Sequence, residues 1–350
     1  MEKSILCGYY SADLTSPLTP LHCGEGNKRG EVFQEENMEI RELQQILKDV
    51  KNNVAKLVKG HDNVLTKTVC AFFSGGHLLL EDVPGTGKTT LAKALAKSLG
   101  MRFSRIQFTP DLMPSDITGV SIFNPKTSAF EFKKGPVFAN MILADEINRA
   151  SPRTQSAMLE AMGEGQVSTD AGQFVLDKPF FVIATQNNIE SKGTYALPES
   201  QMDRFSMKLS LGYVSAEAEM EILNGRGFVT ALEELKPAVS FEKACEAIHA
   251  VEEIKVSDEL KYFMIKLVDS TRNAPNVKLG ASPRGALSLM KAAQATAAFD
   301  GRDFVIPDDI LSNAVPTLAH RLILDNSAFV SGTSKEKVVA SVLENIKVPV

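Results

Sequence analysis

The residues best able to do chemistry lie in the first half of the chain. Glu81-Asp82-Val83-Pro84-Gly85-Thr86-Gly87-Lys88-Thr89-Thr90 joins an apolar run to a helical one, which is the setting a phosphate-binding loop requires. Gly85 and Gly87 let the backbone curl so that successive N–H groups point at one anion, and the helix that follows offers its positive N-terminal end to the same charge. The candidate phosphate contacts are Val83, Pro84, Gly85, Thr86, Gly87, Lys88, Thr89 and Thr90. Lys88 would reach the β- and γ-phosphates, and the Thr89 hydroxyl would bind Mg²⁺. Asp82 departs from the usual pattern, which begins with Gly six residues before the Lys. That position opens the turn without presenting a side chain to phosphate, so the departure is compatible with binding.

A second constellation is Met141-Ile142-Leu143-Ala144-Asp145-Glu146, an apolar run ending in two carboxylates. Asp145, at the edge of a strand, would hold Mg²⁺ through water; Glu146 would orient and activate the water that attacks a γ-phosphate. An Asp-Glu pair after a strand is ordinary loop chemistry, and its weight comes from following a phosphate loop. A third run, Phe180 to Thr185, leads into Gln186-Asn187-Asn188. An amide there can hold the attacking water or touch the γ-phosphate, although Asn in a turn is also common.

The elements that must position these groups alternate. Apolar residues recur at helical spacing from Ile40 to Val54, and a second helix is expected over 64–73. Short apolar runs at 77–80, 105–108, 141–144, 180–185 and 205–211 read as strands buried on both faces. Helical segments between most of them, including 88–99, predict an α/β fold with a parallel sheet flanked by helices. Two hairpins interrupt it, 120–123 with 130–132 and 166–168 with 173–175. From Ala216 onward strand signals nearly vanish and helices such as 286–298 and 308–314 dominate. The expected organisation is a tail over 1–36, a nucleotide-binding α/β domain over 37–213 and an all-helical lid over 214–350.

Composition narrows the alternatives. The 350 residues are 44% hydrophobic and carry a formal net charge of −5, with no Trp and 5 Tyr. That balance disfavours a nucleic-acid-coating protein or an aromatic stacking platform. Cys7, Cys23, Cys70 and Cys245 are too scattered for a metal site or disulfide framework and read as thiols of a reducing compartment. His22, His249 and His320 have no ligand partner at suitable spacing and read as surface or packing residues. Met158 and Met162 read as core, and Lys133-Lys134 as a solvated run. No run is long enough to span a membrane and no secretory signal is evident, so the expected location is cytoplasmic.

Together these motifs resemble the AAA+ ATPases, and within them the MoxR family of the helix-2-insert group. The resemblance rests on the loop 81–89, Met113-Pro114-Ser115-Asp116-Ile117-Thr118-Gly119, Asp145-Glu146-Ile147-Asn148-Arg149-Ala150, Leu159-Glu160-Ala161-Met162, Ile183-Ala184-Thr185-Gln186-Asn187, the stretch 197–205 ending in Asp203-Arg204-Phe205, and Gly280-Ala281-Ser282-Pro283-Arg284. It spans about residues 40–350 in collinear order. It implies that Asn187 is the sensor 1 residue, that Arg204 is the arginine finger offered to a neighbour's ATP, and that Arg284 is the sensor 2 arginine at the γ-phosphate. Ser282 at an N-cap and Pro283 at the first helical position would fix Arg284 in a first helical turn. Gly60 and His61 lie where the family's linker passes the adenine. The family's Asn-Pro after sensor 1 is Asn187-Asn188 here.

What the resemblance implies is Mg²⁺-dependent ATP hydrolysis in a homo-oligomer, a hexameric ring. The ring would act as a chaperone or remodeller in maturation of a partner complex or insertion of its metal or cofactor. Family partners often carry a von Willebrand factor A domain, and the first hairpin with Lys133-Lys134 would then line a central pore. Rival readings are a magnesium-chelatase-like motor subunit, a nucleic-acid-stimulated motor, and a nucleotide-gated scaffold, which would have no need of Glu146.

Overall fold

The computed structural model describes residues 38–83, 85–187, 194–224 and 228–349. The expected tail, Pro84 and Asn188 lie outside them. The described residues belong to one compact unit.

The chain opens with helices α1 (Ile40–Ala55) and α2 (Asp62–Phe73). There follow β1 (Leu78–Glu81), α3 (Lys88–Ser98), β2 (Phe103–Gln107), α4 (Pro114–Thr118), the hairpin β3 (Gly119–Asn124) and β4 (Ala129–Lys134), and β5 (Met141–Asp145). Next come α5 (Pro152–Glu164), the hairpin β6 (Gln166–Thr169) and β7 (Gly172–Val175), β8 (Phe181–Gln186), α6 (Glu199–Met202) and β9 (Met207–Leu209). The remainder is helical: α7 (Ala216–Asn224), α8 (Phe228–Glu234), α9 (Phe241–Glu252), α10 (Asp258–Arg272), α11 (Pro283–Phe299), α12 (Pro307–Leu318), α13 (Asn326–Ser331) and α14 (Lys335–Asn345). Two short strands missed by the sequence pattern, β10 (Val277–Leu279) and β11 (Ile323–Leu324), pair antiparallel within this part. They are too short and too exposed to carry an apolar run.

Five parallel strands form the central sheet in the order β2-β5-β8-β1-β9. Its central strands β1, β5 and β8 are apolar until their C-terminal ends because both faces are covered. Leu78, Leu80, Met141, Leu143, Phe181 and Ile183 face a core that includes residues of α1, α2 and α3 and continues into α9, α10, α11, α12 and α14. The alternate residues Leu79, Ile142, Ala144, Val182 and Ala184 face a second core that includes Met158, Leu159 and Met162 of α5. The expected core role of the two methionines is therefore met. Each of the buried Leu, Ile, Val, Met and Phe side chains among them contributes about 1.5–3 kcal/mol by leaving water.

Local signals set the helices that matter for the site. In α5, the Ser151 side chain accepts from the Thr154 N–H, Pro152 occupies the first turn, and Gly165 closes the helix at φ 64°. The two inserted hairpins are joined by aromatic contacts. Phe132 of β4 stacks on Phe174 of β7 with ring centroids 4.5 Å apart, and Phe138 meets both edge-on. Lys134 reaches over the Phe138 ring.

Candidate functional site

All five sheet strands run the same way, so their C-terminal ends share one edge. The loop after β1, the acidic pair after β5 and Asn187 after β8 meet there. Gly85 and Gly87 adopt φ 87° and 88°, a left-handed conformation that strains any side chain. A Cβ on either would touch nothing within 4 Å, so it is the backbone conformation that calls for glycine. Gly87 is the N-cap of α3, which begins at Lys88 and holds Thr89 and Thr90 in its first turn. The Lys88 ammonium donates to the carbonyls of Asp82 (2.9 Å) and Val83 (2.8 Å). Burial lowers its pKa, opposed by the negative charges of Asp82, Asp145 and Glu146. Thr86 donates its hydroxyl to the Val83 carbonyl.

Asp145 ends β5 and is buried. One carboxylate oxygen accepts from the Thr185 hydroxyl at 2.7 Å, and the other accepts from Arg105 Nη2 at 2.6 Å. Glu146 follows at φ 56°, ψ 49°, an uncommon conformation for a residue with a side chain. Its N–H donates to the same Thr185 hydroxyl at 2.8 Å. Its carboxylate accepts from Gln107 Nε2 at 2.9 Å and Arg149 Nη1 at 3.0 Å. Thr185 therefore links the two acidic residues through a single oxygen, with its proton on one and its lone pair on the other. Asn187, one step past β8, is buried. The partner roles of Arg105, Gln107 and Thr185 escape motif reading. Gln107 sits opposite Asp145 in the sheet register, and the partners come from strands roughly forty residues apart.

Gly60 and His61 precede α2. Gly60 has φ +76°, and a Cβ there would lie 3.0 Å from Ala218 and 3.1 Å from Val214. His61 is buried; burial lowers its pKa, while the charge of Asp82 raises it. The structure thus brings this linker to the start of the loop and to the chain just after β9.

The two arginines lie elsewhere. The Ser206 N–H and hydroxyl both donate to the His77 carbonyl at 2.8 Å, which sets the 203–206 segment at the N-terminal end of β1. Arg204 Nη1 donates to the Leu159 carbonyl at 2.7 Å and lies over Gly163, where a Cβ would stand 1.4 Å from that nitrogen. Arg284, in the first turn of α11, is 3.9 Å from the Asp203 carboxylate. Arg204, Arg284, Asp203, Gly163, His77 and Gly76 line one cavity of about 320 Å³. The four-residue β1 separates this edge from the loop edge by about 13 Å.

Arg284 lies on the finger segment of its own chain, where the start of α11 docks. One expectation is corrected here. Ser282 is the N-cap residue, but its side chain makes no capping bond. Its hydroxyl instead donates to both oxygens of Asp203 (3.1 and 3.0 Å). The same segment is held by a buried group that the sequence did not single out. Arg321 donates to the Asp203 carboxylate and carbonyl, the Phe205 carbonyl, the Ser288 hydroxyl and the Thr317 carbonyl. Burial lowers the Arg321 pKa, while Asp203 raises it. His320 packs on the Phe205 carbonyl and is buried, with a pKa pushed well below its ordinary value by burial.

Among the described residues no group of His, Cys, Asp and Glu forms a metal cluster, and no helix is long and apolar enough to cross a membrane. Cys70 is a buried free thiol whose pKa burial pushes up to about 12.

A glycine loop, an acidic pair and an amide at one edge of a 2-5-8-1-9 parallel sheet, with helices following, define a P-loop ATPase of the AAA+ class with a helical lid. Residues 77–207 match the ATPase family associated with various cellular activities (AAA), and residues 269–342 match the AAA lid domain. The chain is 46% identical to the uncharacterized protein YeaC of Bacillus subtilis, over 88% of this chain and 97% of that one. It is 38% identical to Chaperone MoxR1 of Mycobacterium tuberculosis, over 89% of this chain and 83% of that one. A crystal structure of a protein assigned as an ATPase, from Cytophaga hutchinsonii, superposes with a TM-score of 0.81 at 38% identity, covering 89% of this chain and 97% of that one. The protein belongs to the MoxR family of AAA+ ATPases, and it binds and hydrolyses ATP.

Proposed function

We propose that the chain hydrolyses Mg²⁺-ATP at a site shared between neighbouring subunits of a ring, and uses the cycle to remodel a partner protein. The observation that carries this reading is the separation of the two arginines from the loop. Arg204 and Arg284 share one cavity at the opposite sheet edge, where they serve a nucleotide bound by the next subunit and none of their own. A closed ring, six-membered by the family resemblance, gives every loop such a neighbour.

Within one site the roles divide as follows. The backbone of residues 83–90 and the Lys88 ammonium bind the phosphates; to do so, Lys88 exchanges the Asp82 and Val83 carbonyls for phosphate oxygens. Thr89 and Asp145 fit Mg²⁺: both are hard oxygen donors, and a Mg²⁺ held by one or two protein oxygens completes its shell with water and phosphate. The ion would offset charge on the phosphate oxygens. Glu146 takes the proton of the attacking water, once its carboxylate leaves Gln107 and Arg149. Asn187 orients that water or the γ-phosphate. The neighbour's Arg204 and Arg284 stabilise the charge that spreads over the transferred phosphoryl group. Gly60 and His61 border the adenine.

The partner is a client complex that the ring matures, and a von Willebrand factor A domain protein is the first candidate on family grounds. The intact acidic pair favours turnover over a nucleotide-gated scaffold.

The test is complementation. Arg204→Ala retains its own loop and Glu146, whereas Glu146→Gln retains its finger. Each alone is expected to be inactive, and a mixture to regain part of the wild-type rate, because a Glu146→Gln subunit lends Arg204 to an Arg204→Ala neighbour. Near-wild-type turnover by Arg204→Ala alone, or a mixture no more active than its parts, would sink the shared site.

A further inference from the structure

Asp82 is the one loop residue that departs from the phosphate-loop pattern, and the site above leaves its side chain unused. The carboxylate is buried. One oxygen accepts from the Val83 N–H at 2.9 Å, and the other accepts from the N–H groups of both Leu211 and Gly212 at 2.7 Å. Val83 belongs to the nucleotide loop. Leu211 and Gly212 are where the chain leaves β9 for the helical part, and Gly212 takes φ 69° there. A carboxylate accepting three backbone N–H groups is a charge-assisted clamp between these two segments. A glycine at the same position would leave the N–H groups of Leu211 and Gly212 without that acceptor, and the first of them is buried.

The backbone of Asp82 is engaged as well. Its carbonyl accepts from the Lys88 ammonium at 2.9 Å, and its N–H donates to the Gln186 carbonyl, the residue before Asn187, at 3.2 Å. The exit segment is contacted from a second side, since Val214 and Ala218 close around Gly60 next to His61.

We propose that Asp82 is a positioning residue that couples the nucleotide loop to the segment by which the chain leaves β9 for the helical lid. The proposal rests on nucleotide binding at residues 83–90. When phosphate draws the Lys88 ammonium from the Asp82 carbonyl, the 82–83 peptide is free to turn. Its carboxylate then carries the 211–212 backbone with it. A loop with Gly at this place has the same phosphate contacts and no such connection. The proposal assigns a function to the departure from the pattern: the side chain trades nothing at the phosphate and gains a linkage at the hinge.

The chain has no Trp, so Tyr213→Trp, at an exposed position beside Gly212, gives a single fluorescent reporter on the exit segment. Its emission is recorded on adding Mg²⁺-ADP to full-length protein carrying Asp82, Asp82→Asn or Asp82→Gly, with affinity measured separately by a fluorescent ADP. With Asp82 the emission changes on saturation. In Asp82→Gly, ADP binds with an affinity within about tenfold of the parent, the emission change falls at least about threefold, and kcat falls more than KM rises. Asp82→Asn, which keeps one acceptor oxygen, falls between; it decides by the same criteria should Asp82→Gly not fold. An undiminished emission change in the variants overturns the proposal, as does a parent whose emission ignores bound ADP. Loss of ADP binding in both variants also overturns it, since Asp82 would then build the loop and couple nothing. Failure of the parent itself to bind ADP would instead remove the nucleotide-loop reading.

Discussion

The two edges of the central sheet are built on different plans. The C-terminal edge gathers groups from three adjacent strands and one helix start, and its acidic pair is tied together by the Thr185 hydroxyl. The N-terminal edge gathers cations from a loop and from the lid, and holds them through the Asp203 carboxylate, Ser282 and the buried Arg321. The first edge holds the phosphate loop with Lys88, and its two arginines, Arg105 and Arg149, are engaged by the acidic pair. The second has Arg204 and Arg284 and no loop to present phosphate to them. The proposed shared site would bring the two edges together from two copies of the chain.

The largest effect should come from the cationic edge. Arg204→Ala is expected to lower turnover by about 10³–10⁵-fold while ADP affinity of isolated subunits stays near wild type, read by steady-state ATPase and fluorescent-ADP titration. Glu146→Gln should lower turnover by about 10²–10⁴-fold and leave ATP bound, which rapid filtration of labelled ATP would register. If the first substitution instead weakened ADP binding by the same subunit, the two edges would not be separate.

A stability measurement sharpens the contrast next. His77, in the cationic cavity, is buried with its pKa lowered to about 4, chiefly by burial. Its Nδ1 accepts from the Val182 N–H and its Nε2 faces the Met162 carbonyl, so the neutral ring is the form that fits. The folded value lies below the unfolded one. The stability it contributes is thus present above pH 6.5 and lost as pH falls toward 4, by about 3 kcal/mol in all, because the unfolded chain takes up the proton first. His320 acts in the same direction. Urea unfolding of His77→Gln should show a shallower loss between pH 7 and 4.5 than wild type; an unchanged slope would remove His77 as a contributor.

The smallest effect is a positioning one. Thr185→Val keeps the shape and removes the oxygen shared by Asp145 and Glu146. Turnover is expected to fall about 10–100-fold, with a higher Mg²⁺ requirement and recovery in Thr185→Ser. Equal rates for Val and Thr, measured across a Mg²⁺ titration, would show that the acidic pair holds its geometry without the bridge.

Legibility in the sequence followed the distance between partners. The loop, the acidic pair and Asn187 were readable because each is a contiguous strand-to-turn signal, and the central strands β1, β5 and β8 stood out as apolar runs. The inserted hairpins were also readable, since each pairs neighbouring segments. Thr185, Gln107 and Arg105 were not, because their roles arise from strand register. Arg284 was placed correctly in a first helical turn, yet its location depended on where α11 docks, which local pattern does not encode. Ser282 looked like a cap by residue type, and a nearby carboxylate outcompeted the backbone for its hydroxyl. Arg321 carried no signal, for a lone Arg after a helix is ordinarily solvated; here its side chain lies within the protein and binds three backbone carbonyls.

The separation of loop and arginines also bears on how the protein spends ATP at low abundance. On the proposed shared site, a free subunit would hold nucleotide but lack the second half of the reaction centre, so dilution would switch it off without any inhibitor. A closed ring has as many finished centres as subunits, and an open chain of the same length has one fewer. Hydrolysis rate plotted against subunit concentration should then rise faster than linearly until rings are full. Assembly would then be the throttle, and scattered subunits in a cell would idle with their fuel intact.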